Sequence, residues 1–231
     1  KCEGGGVGEH TGLPVSAGSG GWWVRGGPGT RGTGKGPVRD GKVYLDAGGL
    51  GVPLSVCWPG RSRAGTIKRT PVYSPDLFNT VLDAGGADPS AGTDGLSLLP
   101  LLTGKGGSLH REALFWHYPH YSNQGGKPGA AMRAGRYKLI EFYEDQRVEL
   151  YDLQNDIGEH TDLAGTLVKK AGEMRRALDA WWRGVGAQMM TPNPGYATGD
   201  PPGGPPVNRV SDRRGASSET RGRAARIPAR P

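Results

Sequence analysis

His117 and His120 stand three residues apart in an aromatic stretch, a spacing that suggests a metal centre. Pro119 between them argues against a helix, and no third ligand follows at suitable spacing, so metal ligation is set aside. Two readings stay open: packing within an aromatic strand, and a substrate rim shared with the loop SNQGG at 122–126 and with Tyr118, Tyr121 and Asn123. The run GTGKG at 32–36 offers an ammonium among glycines, as a phosphate loop would. It lacks the long glycine spacing, the Ser or Thr after the lysine, and a flanking strand and helix. Cys2 and Cys57 show neither metal-ligand spacing nor a disulfide framework. Lys42, six residues before Gly48, is by residue type alone a solvated surface lysine.

The elements that must position these groups are short strands. Leu114 to Tyr118 is an aromatic-rich strand ended by Pro119. Two strands meet at Ala134-Gly135, since glycine turns tightly at little steric cost. A second hairpin joins Tyr137–Tyr143 to Val148–Leu153 through Glu144-Asp145-Gln146-Arg147. Such an antiparallel sheet has one wet face and needs an apolar partner on the other. The partner is a helix near Thr166–Gly186, where Leu167, Ala171, Met174, Leu178, Trp182 and Val185 recur at helical steps. Trp181 and Trp182 point about 100° apart, so only one lies squarely in the core. Upstream, Val52–Trp58 reads as a strand. Ser74-Pro75-Asp76 starts a helix with an apolar stripe of Leu77, Phe78, Val81 and Leu82, and Gly85-Gly86 ends it.

Composition bounds the rest. With 42 glycines and 19 prolines, the chain is rich in residues that resist packing. They concentrate in residues 1–40, read as a poorly ordered segment, and in the basic tail 191–231, read as disordered. Residues 57–190 hold sixteen Lys/Arg against fifteen Asp/Glu, while 191–231 hold seven against three. The formal charge of +7 is therefore not a basic groove on a folded face, and nucleic acid is not expected as a partner. No apolar run approaches membrane-spanning length.

Several motifs in register resemble the sulfatase family, the arylsulfatase-like hydrolases. GKVYLDAGGLGVPLSVCWPG at 41–60, DGLSLLPLLTG at 94–104, FWHYPHYSNQGG, MRAGRYKLIEFYEDQRVELY and ELYDLQNDIGEHTDLA follow one another in the family's order and spacing. The match runs from about Lys42 to about Tyr196 and covers only the back portion of a sulfatase. The resemblance implies an α/β, alkaline-phosphatase-like fold, of which this chain holds a fragment. Residues 41–104 would be the end of the large α/β domain, with Val52–Trp58 the last strand of its sheet. Residues 105–190 would form an antiparallel-sheet-plus-helix subdomain.

Carried over residue by residue, the resemblance makes Lys42 the catalytic lysine that contacts the sulfate. A sulfuryl group in transfer builds negative charge on its oxygens, and a fixed ammonium stabilises it. Cys57-Trp58-Pro59-Gly60-Arg61 formally fits the family's Cys-x-Pro-x-Arg nucleophile pattern. It falls, however, in the later strand-end segment, with no helical period after it, so Cys57 is read as a small residue closing a strand. The family's Ca²⁺ or Mg²⁺ is held by oxygen ligands of the front part, and its Asp-Asn-Gly metal motif is not found here. No metal ligand is therefore assigned. The expected function is the C-terminal part of a sulfuric ester hydrolase acting on an aryl or sugar sulfate, with this chain inactive by itself. A periplasmic or extracellular location goes with the family. The alternative is a non-catalytic carbohydrate- or partner-binding module that keeps the sheet.

Overall fold

Alternating side chains and tight turns string four strands into a meander, β3 (Leu114–Tyr118), β4 (Gly129–Ala134), β5 (Tyr137–Phe142) and β6 (Val148–Asp152), paired antiparallel in that order. The computed structural model describes residues 36–89, 92–104, 108–122 and 125–191, and the backbone of 13–16. Before the meander come β1 (Leu13–Ser16), the single turn α1 (Ala47–Leu50), β2 (Leu54–Cys57), α2 (Ser74–Ala84) and α3 (Leu99–Leu102). After it comes α4 (Val168–Gly184). Both expected hairpins form. Gly135, at φ +56°, turns between β4 and β5, and Gln146, at φ +56°, sits in the turn between β5 and β6.

Period-two alternation sorts the sheet into two faces. On one, Ala130, Met132, Leu139 and Leu150 meet Ala171, Met174 and Leu178 of α4. Phe115 stacks on Trp181 at 4.9 Å, and Tyr143 meets Trp182 edge-on at 6.3 Å. Both tryptophans are half-buried and flank the seam, so neither lies squarely in the core as expected for one of them. Val185, expected on the apolar face, is exposed. Replacing Leu139, which has no exposed surface, with alanine is expected to cost about 2–5 kcal/mol, read as a lower urea midpoint at unchanged slope.

The second face is not wet. Ala131, Ile140 and Tyr151 pack with Leu45, and Leu50, Trp116 and Phe142 close around them. The expectation of a solvated face fails because residues 39–50 fold back onto the sheet. Within the Gly-rich 1–40 segment, Arg39 anchors this return and β1 pairs with β2, Leu13 opposite Cys57. The remaining residues up to 35, and 192–231, lie outside the described residues. Cys57 is disulfide-bonded, against the reading of two unlinked cysteines.

Helix α2 inverts its expected polarity. Its wholly or nearly buried residues are Asp76, Asn79 and Thr80, while Phe78 and Val81 of the apolar stripe are 54% and 65% exposed. The inner side faces the loop 93–98, whose backbone groups need partners. Asp76 accepts from the N–H groups of Tyr73 (2.9 Å) and Leu96 (2.8 Å) and from Arg111 (2.5 Å). Thr80 accepts from Leu98 N–H at 2.8 Å, and Asn79 donates to the Gly95 carbonyl at 2.5 Å. Tyr73, not Ser74, is the N-cap residue.

Candidate functional site

Lys42 sits on a tight loop whose backbone rests on glycine. Tyr44 N–H donates to the Gly41 carbonyl at 3.1 Å, closing the turn around Lys42 and Val43. Asp40 and Val43 take φ of +54° and +76°, conformations costly for side-chain-bearing residues and most of all for a β-branched one. A Cβ on Gly48 would run into the carbonyl oxygens of Arg39 and Asp40, and one on Gly49 into those of Gly41 and Tyr44. The glycine pair six residues beyond Lys42 is thus the floor on which the loop lies. A second pair supports its flank. A Cβ on Gly126 would strike the Val43 carbonyl, and one on Gly125 would come within 2.6 Å of Tyr44 Oη. Gly125 and Gly126 are therefore neighbours of the Lys42 loop.

A buried ionic network pins this loop to the sheet. Glu159 and Lys138, 0% and 2% exposed, pair at 2.6 Å. The other carboxylate oxygen of Glu159 accepts from Ala47 N–H at 2.7 Å, at the start of α1. Arg39 donates to Asp46, to Tyr151 Oη (2.9 Å), to Glu149 (3.0 Å) and to the Glu159 carbonyl (2.8 Å). Burial alone would lower the Arg39 pKa, but the charge and hydrogen bond of Asp46 outweigh it and hold the guanidinium charged. Burial lowers the pKa of Lys138, with Glu159 opposing the shift, and burial next to Asp46 raises that of Asp40.

Lys42 itself is half-buried, and no hydrogen-bond or ion-pair partner for its ammonium occurs among the described residues. His120 is exposed and stands edge-on to Tyr118 at 5.5 Å, on the sheet face that the Lys42 segment covers. His117 faces the other way. Its ring nitrogens are 2.6 Å from Tyr143 Oη and 2.8 Å from the Gln188 carbonyl oxygen, on the α4 side. His117 thus points away from the side on which Tyr118 meets His120, and it has both nitrogens engaged within the protein. Tyr121 is exposed and donates to Glu144 at 3.0 Å, and Asn123 lies outside the described residues. Sequence reasoning missed Arg39, Lys138 and Glu159. The one local signal was a lysine at an inward position of the Tyr137–Phe142 strand.

The acids nearest this loop do not suit a divalent cation. Asp40, Asp46, Glu149 and Glu159 are already paired with Arg39 or Lys138. Among the described residues, no group of three or more His, Cys, Asp or Glu is arranged to hold a metal.

Residues 41–179 match the family model for the C-terminal region of N-sulphoglucosamine sulphohydrolase. A sulfatase of Formosa agariphila is 30% identical over 192 residues, 76% of this chain and 34% of that protein. Human arylsulfatase A is 32% identical over 171 residues, 64% of this chain and 33% of the enzyme. The solved structure of BT4656 in complex with its substrate D-glucosamine-2-N,6-O-disulfate superposes with a TM-score of 0.52 at 27% identity, covering 62% of this chain and 30% of that one. The chain spans about a third of the length of the curated relatives it matches. The structural likeness supports the expected alkaline-phosphatase-like class, with the antiparallel sheet and helix as its closing elements.

Proposed function

The chain belongs to the sulfatase family and corresponds to its C-terminal region, and from that premise we propose that it supplies one wall of a sulfate-ester site. Lys42 is the residue assigned to the sulfate, with His120 and the 122–126 loop at the rim. One observation carries this reading: a half-buried lysine, its ammonium without a hydrogen-bond or ion-pair partner among the described residues, stands on a strained loop cushioned by Gly48, Gly49 and Gly126. Holding a loop in positive φ is costly, and such geometry is maintained where position matters more than local stability.

When a sulfuryl group leaves its ester oxygen, charge spreads over the three sulfuryl oxygens and the departing oxygen. An ammonium already in place stabilises that charge without reorganising. The nucleophile and the Ca²⁺ or Mg²⁺ belong, in this reading, to the part of the enzyme outside the third that the chain spans. That metal polarises the sulfate oxygens when bound. The substrate class is a sulfated sugar or aryl sulfate, since BT4656 takes a sulfated glucosamine. The disulfide at Cys57 supports an oxidising, periplasmic or extracellular compartment. Among the described residues, no helix is long and apolar enough to cross a membrane.

The test joins this chain to the front part of the Formosa agariphila relative in place of that protein's own matched region. Turnover of an aryl sulfate or of 6-O-sulfated glucosamine, with Ca²⁺ or Mg²⁺ present, is expected from the joined protein and absent from the chain by itself. Metal-dependent turnover by the chain alone would overturn the assignment. Tight binding of a sulfated sugar by the chain alone, with no turnover in the joined form, would favour the binding-module reading.

A further inference from the structure

The Arg39 guanidinium has five N–H groups to give, and all five are taken. Nε and Nη2 both donate to Asp46, and Nη2 donates also to Glu149 at 3.0 Å. Nη1 donates to Tyr151 Oη at 2.9 Å and to the Glu159 carbonyl at 2.8 Å. The central carbon of the group lies over the Tyr151 ring, 4.8 Å from its centroid. Tyr151 passes the contact on, its hydroxyl donating to Glu149 at 2.7 Å. A lysine has three donors and no planar fork, so at this position it answers only part of the set.

These bonds close the Lys42 loop on itself and tie it to the sheet. Asp46, buried at 4% exposure, stands seven residues beyond Arg39, at the far end of the loop. Its carbonyl accepts from the N–H groups of Gly49 and Leu50, which start α1. The Arg39 carbonyl accepts from Gly48 N–H at 2.8 Å. One residue thus holds the far end twice, by side chain and by backbone. Glu149 and Tyr151 belong to β6 and Glu159 follows it, so the closed loop is referred to the sheet. Between the fixed ends lie Asp40 and Val43 at positive φ, one on each side of Lys42. Such conformations persist only where the surroundings impose them. With every donor engaged inside the protein, Arg39 can reach a sulfate only through the loop it closes.

Resting on the assignment of Lys42 to the sulfate, we propose that Arg39 is the positioning residue of this site: by joining both ends of the 40–46 loop to β6, it sets where the Lys42 ammonium stands. A misplacement of about 1 Å at a reacting group is enough to cost on the order of a hundredfold in rate. The fork geometry, and not the positive charge alone, carries the role.

Amide exchange in the chain by itself tests the first half. Arg39→Lys keeps the charge and removes the fork, so the Tyr44 and Gly48 amides, which close the loop, should exchange at least about tenfold faster. The Leu139 amide in β5 should keep its protection. Tyr151→Phe deletes one acceptor and leaves every charge in place; it should act in the same direction to a smaller degree, and it serves if the Arg39→Lys chain does not fold. Unchanged exchange at Tyr44 and Gly48 overturns the proposal, and so does equal loss at Leu139, which would mark a general loosening. Turnover of the joined protein tests the second half. Arg39→Lys should lower kcat at least about tenfold with KM within about twofold, and on top of Lys42→Ala it should lower kcat less than about twofold further. A residue that only stabilised the fold would lower turnover by the same factor with Lys42 or without it. Equal factors in the two backgrounds therefore remove this proposal and leave the assignment of Lys42 standing. Turnover indifferent to Lys42→Ala removes that assignment, and this proposal with it.

Discussion

Glu159→Ala is expected to lower the unfolding free energy of this chain by about 3–5 kcal/mol, a large share of the 5–15 kcal/mol typical of a domain. The carboxylate is fully buried and answers two groups at once, the Lys138 ammonium at 2.6 Å and the Ala47 N–H at 2.7 Å. Removing it leaves a buried cation and a backbone donor without the carboxylate that meets them both. The measure is the urea midpoint, with amide exchange at Ala47 as the local readout. That amide should lose its protection in the variant. The double variant Glu159→Leu with Lys138→Met removes both charges, and much of the stability should return. Exchange at Ala47 should stay fast in it, because leucine cannot accept the hydrogen bond. A midpoint unchanged in the single variant would show that the pair holds nothing.

Lys42→Ala should reduce turnover of the joined enzyme by roughly 10²–10³, the usual consequence of losing one well-placed donor at a developing charge. Stability should barely move, because the Lys42 ammonium has no hydrogen-bond or ion-pair partner among the described residues. That combination separates a substrate role from a structural one. Lys42→Arg should restore turnover only in part, since a planar fork does not occupy the place of a compact ammonium. The neighbouring control is Lys35→Ala, outside the glycine-cushioned loop, which should leave turnover unchanged. Equal losses from the two lysines would return Lys42 to the status of a surface charge.

The strands, both hairpin turns and α4 could be read from the chain because their signals are local. Alternation, a glycine at a tight turn and a three- and four-residue apolar step each act within a few residues. Lys42 as the site lysine came from motif resemblance, and the spacing to Gly48 acquires a physical meaning only in the folded loop. There the missing Cβ atoms make room for the carbonyls of Arg39, Asp40, Gly41 and Tyr44.

α2 shows where local signals mislead. An apolar stripe predicts the buried side only if the neighbour is apolar, and here the inner neighbour is a loop whose amides require Asp76 and Thr80.

What the amino-acid order determines by itself is each element and its alternation of sides. Which of two buried sheet faces receives which segment is decided in three dimensions, so His117 turns toward α4 while residues 39–50 cover the opposite face. The ionic partners are also settled there. Glu159 lies 21 residues from Lys138 and 112 from Ala47, separations at which no periodicity links two side chains.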